Sequence, residues 1–280
     1  MNKFHIIVWF VLHPKYWQHF LNKIKQKFQT NHDTHQNTIK AIEWASSNAV
    51  TTEKALLNLG IKGSLINLDD SFIKEAQKRA SKSLVKMGGP GHINLLYNSV
   101  RLLRATSIIE TGVAYGWSSL GILKALSENQ RGFLYSVDMP YPTKNNENYV
   151  GIVVPENLRN YWHIIKKPDR PGIKEALKLT KGQLDLCHYD SDKSWWGRDY
   201  AYPILWESLK SGGLFISDDI KDNLYFSYFV KSFCRALVTI KFTPELEILS
   251  DSDSMIVCHS VFKLVLMTNF SSGKDRRKHS

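Results

Sequence analysis

Cysteine is scarce in this chain. Cys187, Cys234 and Cys258 are the only three among 280 residues, and they do not stand at metal-ligand spacing. That excludes a disulfide-stapled scaffold and a zinc site, and it points to a reducing compartment. Long apolar runs are also missing. The run at the N-terminus, Phe4 to Leu12, has nine residues, whereas a bilayer span takes ~20. It lacks a small-residue cleavage site, which argues against a secretory signal. There is no internal repeat, no low-complexity segment and no Asn/Asp-Pro-Pro-Tyr motif of the kind that binds bases. What is present is ordinary for a globular protein, with 43% hydrophobic and 22% charged residues. A chain of this composition and length buries a large core and is not disordered, collagen-like or coiled-coil.

The net charge of +11 sits mostly at the ends. Residues 1–40 carry six Lys against one Asp, and residues 273–280 carry four Lys/Arg against one Asp. A nucleic-acid enzyme concentrates positive charge along its catalytic domain, and the middle of this chain does not. Basic ends suit an anionic surface or simple solubility. Beyond Pro14, the residues Trp17, Phe20, Leu21, Ile24 and Phe28 recur at helical spacing, with Lys23, Lys25 and Lys27 among them. Such a helix either lies in a membrane interface or packs on its own domain, and packing is the ordinary outcome.

Residues 34–60 and 70–104 read as helical, with Gly60 as a C-cap, Asp69 and Asp70 as N-cap residues, and Met87-Gly-Gly-Pro-Gly91 as a break. After residue 105 the pattern changes. Ser107–Thr111, Phe133–Val137, Tyr161–Ile165, Leu184–Tyr189 and Leu214–Ser217 read as strands; 118–126, 199–209 and 224–237 read as helices. The runs 246–249 and 255–258, flanking Asp251-Ser-Asp253, read as a hairpin. The expected fold class is α/β: a mostly parallel Rossmann-like sheet with a C-terminal antiparallel hairpin and an N-terminal helical extension. The expected boundaries are 1–90 for the extension, 91–266 for the α/β domain and 267–280 for a basic tail. Sheets of this kind bind ligands beyond the carboxyl ends of their strands.

Three motifs fall at those ends. Ile108-Ile-Glu-Thr-Gly-Val-Ala-Tyr-Gly-Trp-Ser-Ser119 is a strand, a glycine turn and a helix start. A nicotinamide dinucleotide fingerprint would need glycines at 112, 114 and 117; the chain has Gly112, Ala114 and Trp117. The turn lets a ligand approach Gly112 and Gly116, and the helix N–H groups of Ser118 and Ser119 suit a carboxylate. Asp138 ends the next strand, where a carboxylate accepts both hydroxyls of a ribose. Two later strands end in paired acids, Asp190/Asp192 and Asp218/Asp219. A cluster of that kind wants a cation, a lysine or solvent.

Together these motifs resemble class I S-adenosylmethionine-dependent methyltransferases. They are most similar to a bacterial branch with Glu-Thr-Gly-Val-Ala-His-Gly-Trp-Ser-Ser and His-Asp-Ser-Asp-His-Ser-Tyr-like signatures, over residues of about 34–260. Gly91-His-Ile-Asn94 and residues 151–159 also fit that branch. Its members are assigned to sugars or secondary metabolites. The resemblance implies that Glu110, Gly112 and Gly116 surround the methionine and ribose end of the cofactor, that Asp138 holds the ribose, and that Asp190 faces the methyl group. The chain departs from the branch at Tyr189, Lys193 and Trp195, where His, His and Tyr are usual. It also has Lys166-Lys-Pro-Asp169 where a Gly-Asp/Ser element approaches the adenine.

Lys193 follows Asp190 by three residues, a spacing shared with metal-dependent catechol-type O-methyltransferases. By that likeness Asp190, Asp218 and Asp219 would hold Mg2+ and Lys193 would act as base. The alternative is a Lys193–Asp salt bridge without metal. The reading is thus an O-methyltransferase with Lys193 and Asp190 at the reacting centre. His188 is set aside because strand alternation places it opposite Tyr189. The expected acceptor is a sugar, polysaccharide precursor or small metabolite. Partners would be that acceptor, a second copy of the chain, or a membrane touched through residues 1–28. The expected location is cytoplasmic, peripheral at the inner membrane face if those residues dock. The rival readings are a non-catalytic cofactor-binding scaffold and, less well supported, a nucleic-acid methyltransferase.

Overall fold

The computed structural model describes residues 3–233, 238–241 and 263–268. Cys234, Cys258, the expected hairpin at 246–258 and nearly all of the basic tail lie outside these residues. The chain starts with two short helices, α1 (Lys3–Leu12) and α2 (Trp17–Gln26), which are followed by α3 (His35–Ser47), α4 (Thr52–Asn58), α5 (Asp70–Ala80) and α6 (Ile93–Leu103). Side-chain caps start several of them: Thr34 accepts Asn37 N–H at 3.2 Å and Asp69 accepts Ser71 N–H at 2.7 Å. The stretch 34–60 is not one helix, because Ala49–Val50 is extended and forms strand β1.

From residue 107 strands and helices alternate: β2 (Ser107–Thr111), α7 (Trp117–Asn129), β3 (Phe133–Val137), β4 (Trp162–Ile165), α8 (Asp169–Leu179), β5 (Leu184–Tyr189), α9 (Trp195–Glu207), β6 (Leu209–Ser217) and α10 (Tyr225–Phe233). Strands β7 (Val238–Lys241) and β8 (Lys263–Thr268) complete one sheet of eight strands among the described residues, in the order β1-β7-β8-β6-β5-β2-β3-β4. β6, β5, β2, β3 and β4 are mutually parallel; β8 is antiparallel to β6 and β7, and β1 runs parallel beside β7 at the edge. The antiparallel element is therefore β7 with β8, on either side of the runs expected to form it.

The strands read as near-continuous apolar runs because both faces are covered. Ile108, Leu134, Leu186, Leu214 and Ile216 face a cluster that includes α6 and α7; Ile109, Cys187, Tyr189 and Phe215 face one that includes α8, α9 and α10. Gly121 lets α7 approach α6, since a Cβ there would meet the Ile93 carbonyl. Helix α8 is absent from the sequence reading. Pro168 and Pro171 look like breakers, yet they stand before and within the first turn, where no N–H is needed. β6 starts at Leu209 rather than Leu214. A register shift in its pairing with β5 and a left-handed Gly212 (φ 79°) absorb the Gly-Gly pair inside the strand as a bulge. Among the described residues no helix is long and apolar enough to cross a membrane.

Candidate active site

The chain order reverses between β2 and β5, so a crevice opens beyond their carboxyl ends. The ladder runs one residue past each strand and aligns the rim. Asp218 N–H donates to Tyr189 O, Asp190 N–H to Thr111 O, Gly112 N–H to Val137 O and Asp138 N–H to Ile165 O, all at 2.9–3.1 Å. Asp218, Asp190, Gly112 and Asp138 thus stand side by side. Behind them is a cleft of about 460 Å³ lined by Gly112, Val113, Ala114, Asp138, Asp169 and Asp190, with Lys193 at its mouth. Gly112 (φ 82°) is required there, because any Cβ would collide with the Asp190 carbonyl. Ala114 also takes a left-handed conformation (φ 48°), a strained geometry for a residue with a Cβ.

The structure divides the residues named from sequence. Gly112, Asp138 and Asp190 line the cleft, and Ser118 lines a smaller cavity beside it with His188, Asp190 and Asp218. Glu110, Gly116 and Ser119 lie behind the wall. Glu110 is 0% exposed; its Oε2 accepts the hydroxyls of Ser119 at 2.5 Å and Ser136 at 2.7 Å. Gly116 is buried, and a Cβ on it would meet Gly151, so its glycine serves chain packing. Two residues not chosen from sequence reach the site. His188, 2% exposed, lines the smaller cavity with Nδ1 at 3.6 Å from Glu110 Oε1. The alternation that sets it opposite Tyr189 also sets it on the same side as Asp190, which is the signal that could have found it. Asp169, in the Lys166-Lys-Pro-Asp169 departure, lies on the cleft and accepts the Ser191 hydroxyl at 2.7 Å.

The cleft is electrostatically acidic. Burial raises the carboxyls of Asp138, Asp169 and Asp190 to about 6 each. Glu110 and Asp169 add to the rise at Asp138 against the N–H bonds of Val113 and Ala114, and Asp218 adds to it at Asp190 against Lys193. Burial disfavours the His188 cation, but Glu110, Asp190 and Asp218 outweigh that and raise the imidazole.

The Mg2+ expectation is corrected here. The cation among Asp190, Asp218 and Asp219 is the Lys193 ammonium, which pairs with Asp219 and stands 3.2 Å from Asp190 Oδ1. No group of three His, Cys, Asp or Glu among the described residues is arranged to hold a metal. The donor set does not fit the ion, because a lysine fills its place. Lys193→Met is therefore expected to loosen the 218–223 segment, lowering the melting temperature, while a chelator leaves the wild type unchanged. A chelator-induced drop in melting temperature would restore the metal.

Residues 109–220 match the family Methyltransf_24, described as a methyltransferase domain. Solved structures share the fold. Cofactor-bound Rv0187 from MTB is 11% identical, aligning over 72% of this chain and 92% of that one with a TM-score of 0.52. A Klebsiella pneumoniae protein assigned as an O-methyltransferase is 12% identical over 81% of this chain and 99% of its own, with a TM-score of 0.50. No curated protein matches. At these identities the structural likeness carries the fold alone, and the family match bears on the chemistry: residues 109–220 are similar to a methyltransferase domain.

Proposed function

We propose that this protein methylates a hydroxyl group of a polar small molecule, a sugar or a polysaccharide precursor. The observation that carries the reading is the smaller cavity, where His188, Asp190 and Asp218 meet beside the cofactor cleft. S-adenosylmethionine bound in that cleft supplies an electrophilic methyl group on a sulfonium. The residues fit it: Asp138 accepts ribose hydroxyls, Gly112–Ala114 offer close backbone approach, and the Asp190 carboxylate complements a cationic ligand. His188, backed by Glu110, takes the proton from the acceptor hydroxyl. Asp190, Asp218 and the Lys193 ammonium supply hydrogen bonds to a polyhydroxylated acceptor and hold it in line.

Calorimetry tests the first half. S-adenosylmethionine and its demethylated product should bind the purified protein, and Asp138→Ala should weaken both about tenfold or more, as expected for a charged hydrogen-bond partner. Absence of binding in the wild type would end the reading. Release of the demethylated product on incubation with glycosides, sugar nucleotides and phenols tests the second half, with loss of turnover expected in His188→Gln. Cofactor binding without turnover on any hydroxyl acceptor would favour a scaffold.

A further inference from the structure

Helix α2 is laid on the protein with its polar side inward. His19 and Lys23 line the 460 Å³ cleft, Lys23 Nζ lies 2.7 Å from Asp192 Oδ2, and Asn22 and Gln26 line an adjoining cavity. Its apolar stripe, Trp17, Leu21 and Ile24, continues through Phe28 and faces outward; Phe28 is 86% exposed. An amphipathic helix packed on its own domain does the opposite. Helix α1 has an outward stripe as well, Phe4, Ile7, Val8, Val11 and Leu12, at i, i+3, i+4, i+7 and i+8. The two helices are held together from beneath: Phe10 is buried and stacks on Phe20 at 4.9 Å, and the Phe10 carbonyl accepts Trp17 Nε1–H at 2.6 Å. Nine large apolar side chains of these two adjoining helices are thus exposed, far more than scattered exposure produces.

The charge around the stripes selects the occupant. The first acid in the chain is Asp33, whereas Lys15, Lys25 and Lys27 flank the apolar rows. A second copy docked through the same surface would set these lysines against their equals. A bilayer with anionic headgroups takes the apolar rows and the lysines together. Each helix has ten residues, about 15 Å, which suits lying in the interfacial plane and not crossing it. Trp17 belongs to the residue type that favours that plane.

We propose that α1 and α2 dock the protein on an anionic bilayer surface, so that the helix facing the lipid with one side lines the cofactor cleft with the other. The proposal does not depend on methyl transfer. Its consequence is that lipid contact and cleft access act on the same ten-residue element.

The test is co-sedimentation of the full chain with phosphatidylcholine vesicles with and without phosphatidylglycerol. Pelleting is expected with the anionic vesicles and release at high salt, since screening weakens the lysine attraction. The double variant Leu21→Gln/Ile24→Gln alters only exposed side chains, so it keeps its far-UV spectrum, and its partitioning falls at least tenfold. Lys25→Glu/Lys27→Glu loses the preference for anionic vesicles. Three results would overturn the proposal: no pelleting, equal pelleting with both vesicle types, or undiminished pelleting of Leu21→Gln/Ile24→Gln. The last would mean that charge elsewhere, such as residues 274–278, holds the chain. Sedimentation equilibrium showing a dimer that the double variant dissociates would assign the surface to a second copy instead.

Discussion

Arg198→Met is expected to lower the melting temperature by roughly 6–12 °C, the shift that about 3 kcal/mol produces in a domain of this size. Arg198 is 0% exposed, on α9 beneath the acid rim. Its guanidinium donates to the carbonyls of Asp219 at 2.7 Å and Asp218 at 3.4 Å, and to Asn223 Oδ1 at 3.3 Å. Asn223 is fully engaged as well: its Nδ2 donates to Lys193 O at 2.8 Å and Asp33 Oδ1 at 2.6 Å, and its Oδ1 also accepts Tyr225 N–H. Methionine fills much of the volume but removes three hydrogen bonds, leaving the Asp219 carbonyl with Asp222 N–H, the Asp218 carbonyl with the Ser217 hydroxyl and Asn223 Oδ1 with Tyr225 N–H, and it takes a buried cation from beneath a row of acids. Both Lys193 and Asp219 hang from this network, so acceptor turnover should fall with stability. Arg198→Lys should not rescue it, because one ammonium cannot span three acceptors in the geometry of the fork. A thermal scan settles the matter, and a shift below about 2 °C would show that the arginine is merely accommodated.

The second large effect concerns pH. Between pH 7 and 5 the affinity for S-adenosylmethionine should fall about a hundredfold, tenfold for each of the two carboxyls that must be ionised to receive a cationic ligand and its ribose. These are Asp190 and Asp138, both held at about 6 by burial and neighbouring acids. Asp169, Asp192, Glu110, Asp218, Lys23, Lys193 and His188 share their surroundings. The stability of the unliganded chain moves the other way. Each of these carboxyls titrates above the ordinary 3.8 when folded, so the folded state holds more protons between about pH 4 and 6. Their contribution to stability is present below about 4 and is lost as pH rises through about 6. Calorimetric titrations at pH 5, 6 and 7 check the binding, and Asp190→Asn should remove one of the two tenfold steps. A flat profile would mean that neither carboxyl meets the ligand's charge.

The parallel core was legible because its strands are short apolar runs at regular spacing. β2, β3 and β5 fall at the expected residues, and so do Asp138 and Asp190, the acids that follow β3 and β5. The failures have local causes. α8 hid behind prolines that a first turn tolerates, and the Gly-Gly pair in β6 read as a turn although a bulge absorbs it. Glu110 stands at the strand end where the motif places it, and Ser119 and Ser136 donate to its Oε2. His188 alternates with Tyr189 and so shares its side with Asp190, a relation that one further step along the strand makes legible. The inverted seating of α2 has no sequence signal, since an amphipathic pattern says which residues share a side and not which side meets the protein.

β1 is two residues long and lies within the stretch expected to be a separate extension, yet Ala49 and Val50 pair with Thr239 and Ile240. From the same stretch Ala45, Ala55 and Leu56 join the two core clusters. An expression fragment cut at residue 91 would leave the backbone of β7 open along one edge, ready to recruit a strand from a neighbouring molecule. Such a fragment should aggregate on concentration, whereas one that begins after residue 28 keeps its edge strand. Residues 29–90 look like an appendage yet act as a selvedge, and trimming this protein for crystallisation means cutting before residue 29.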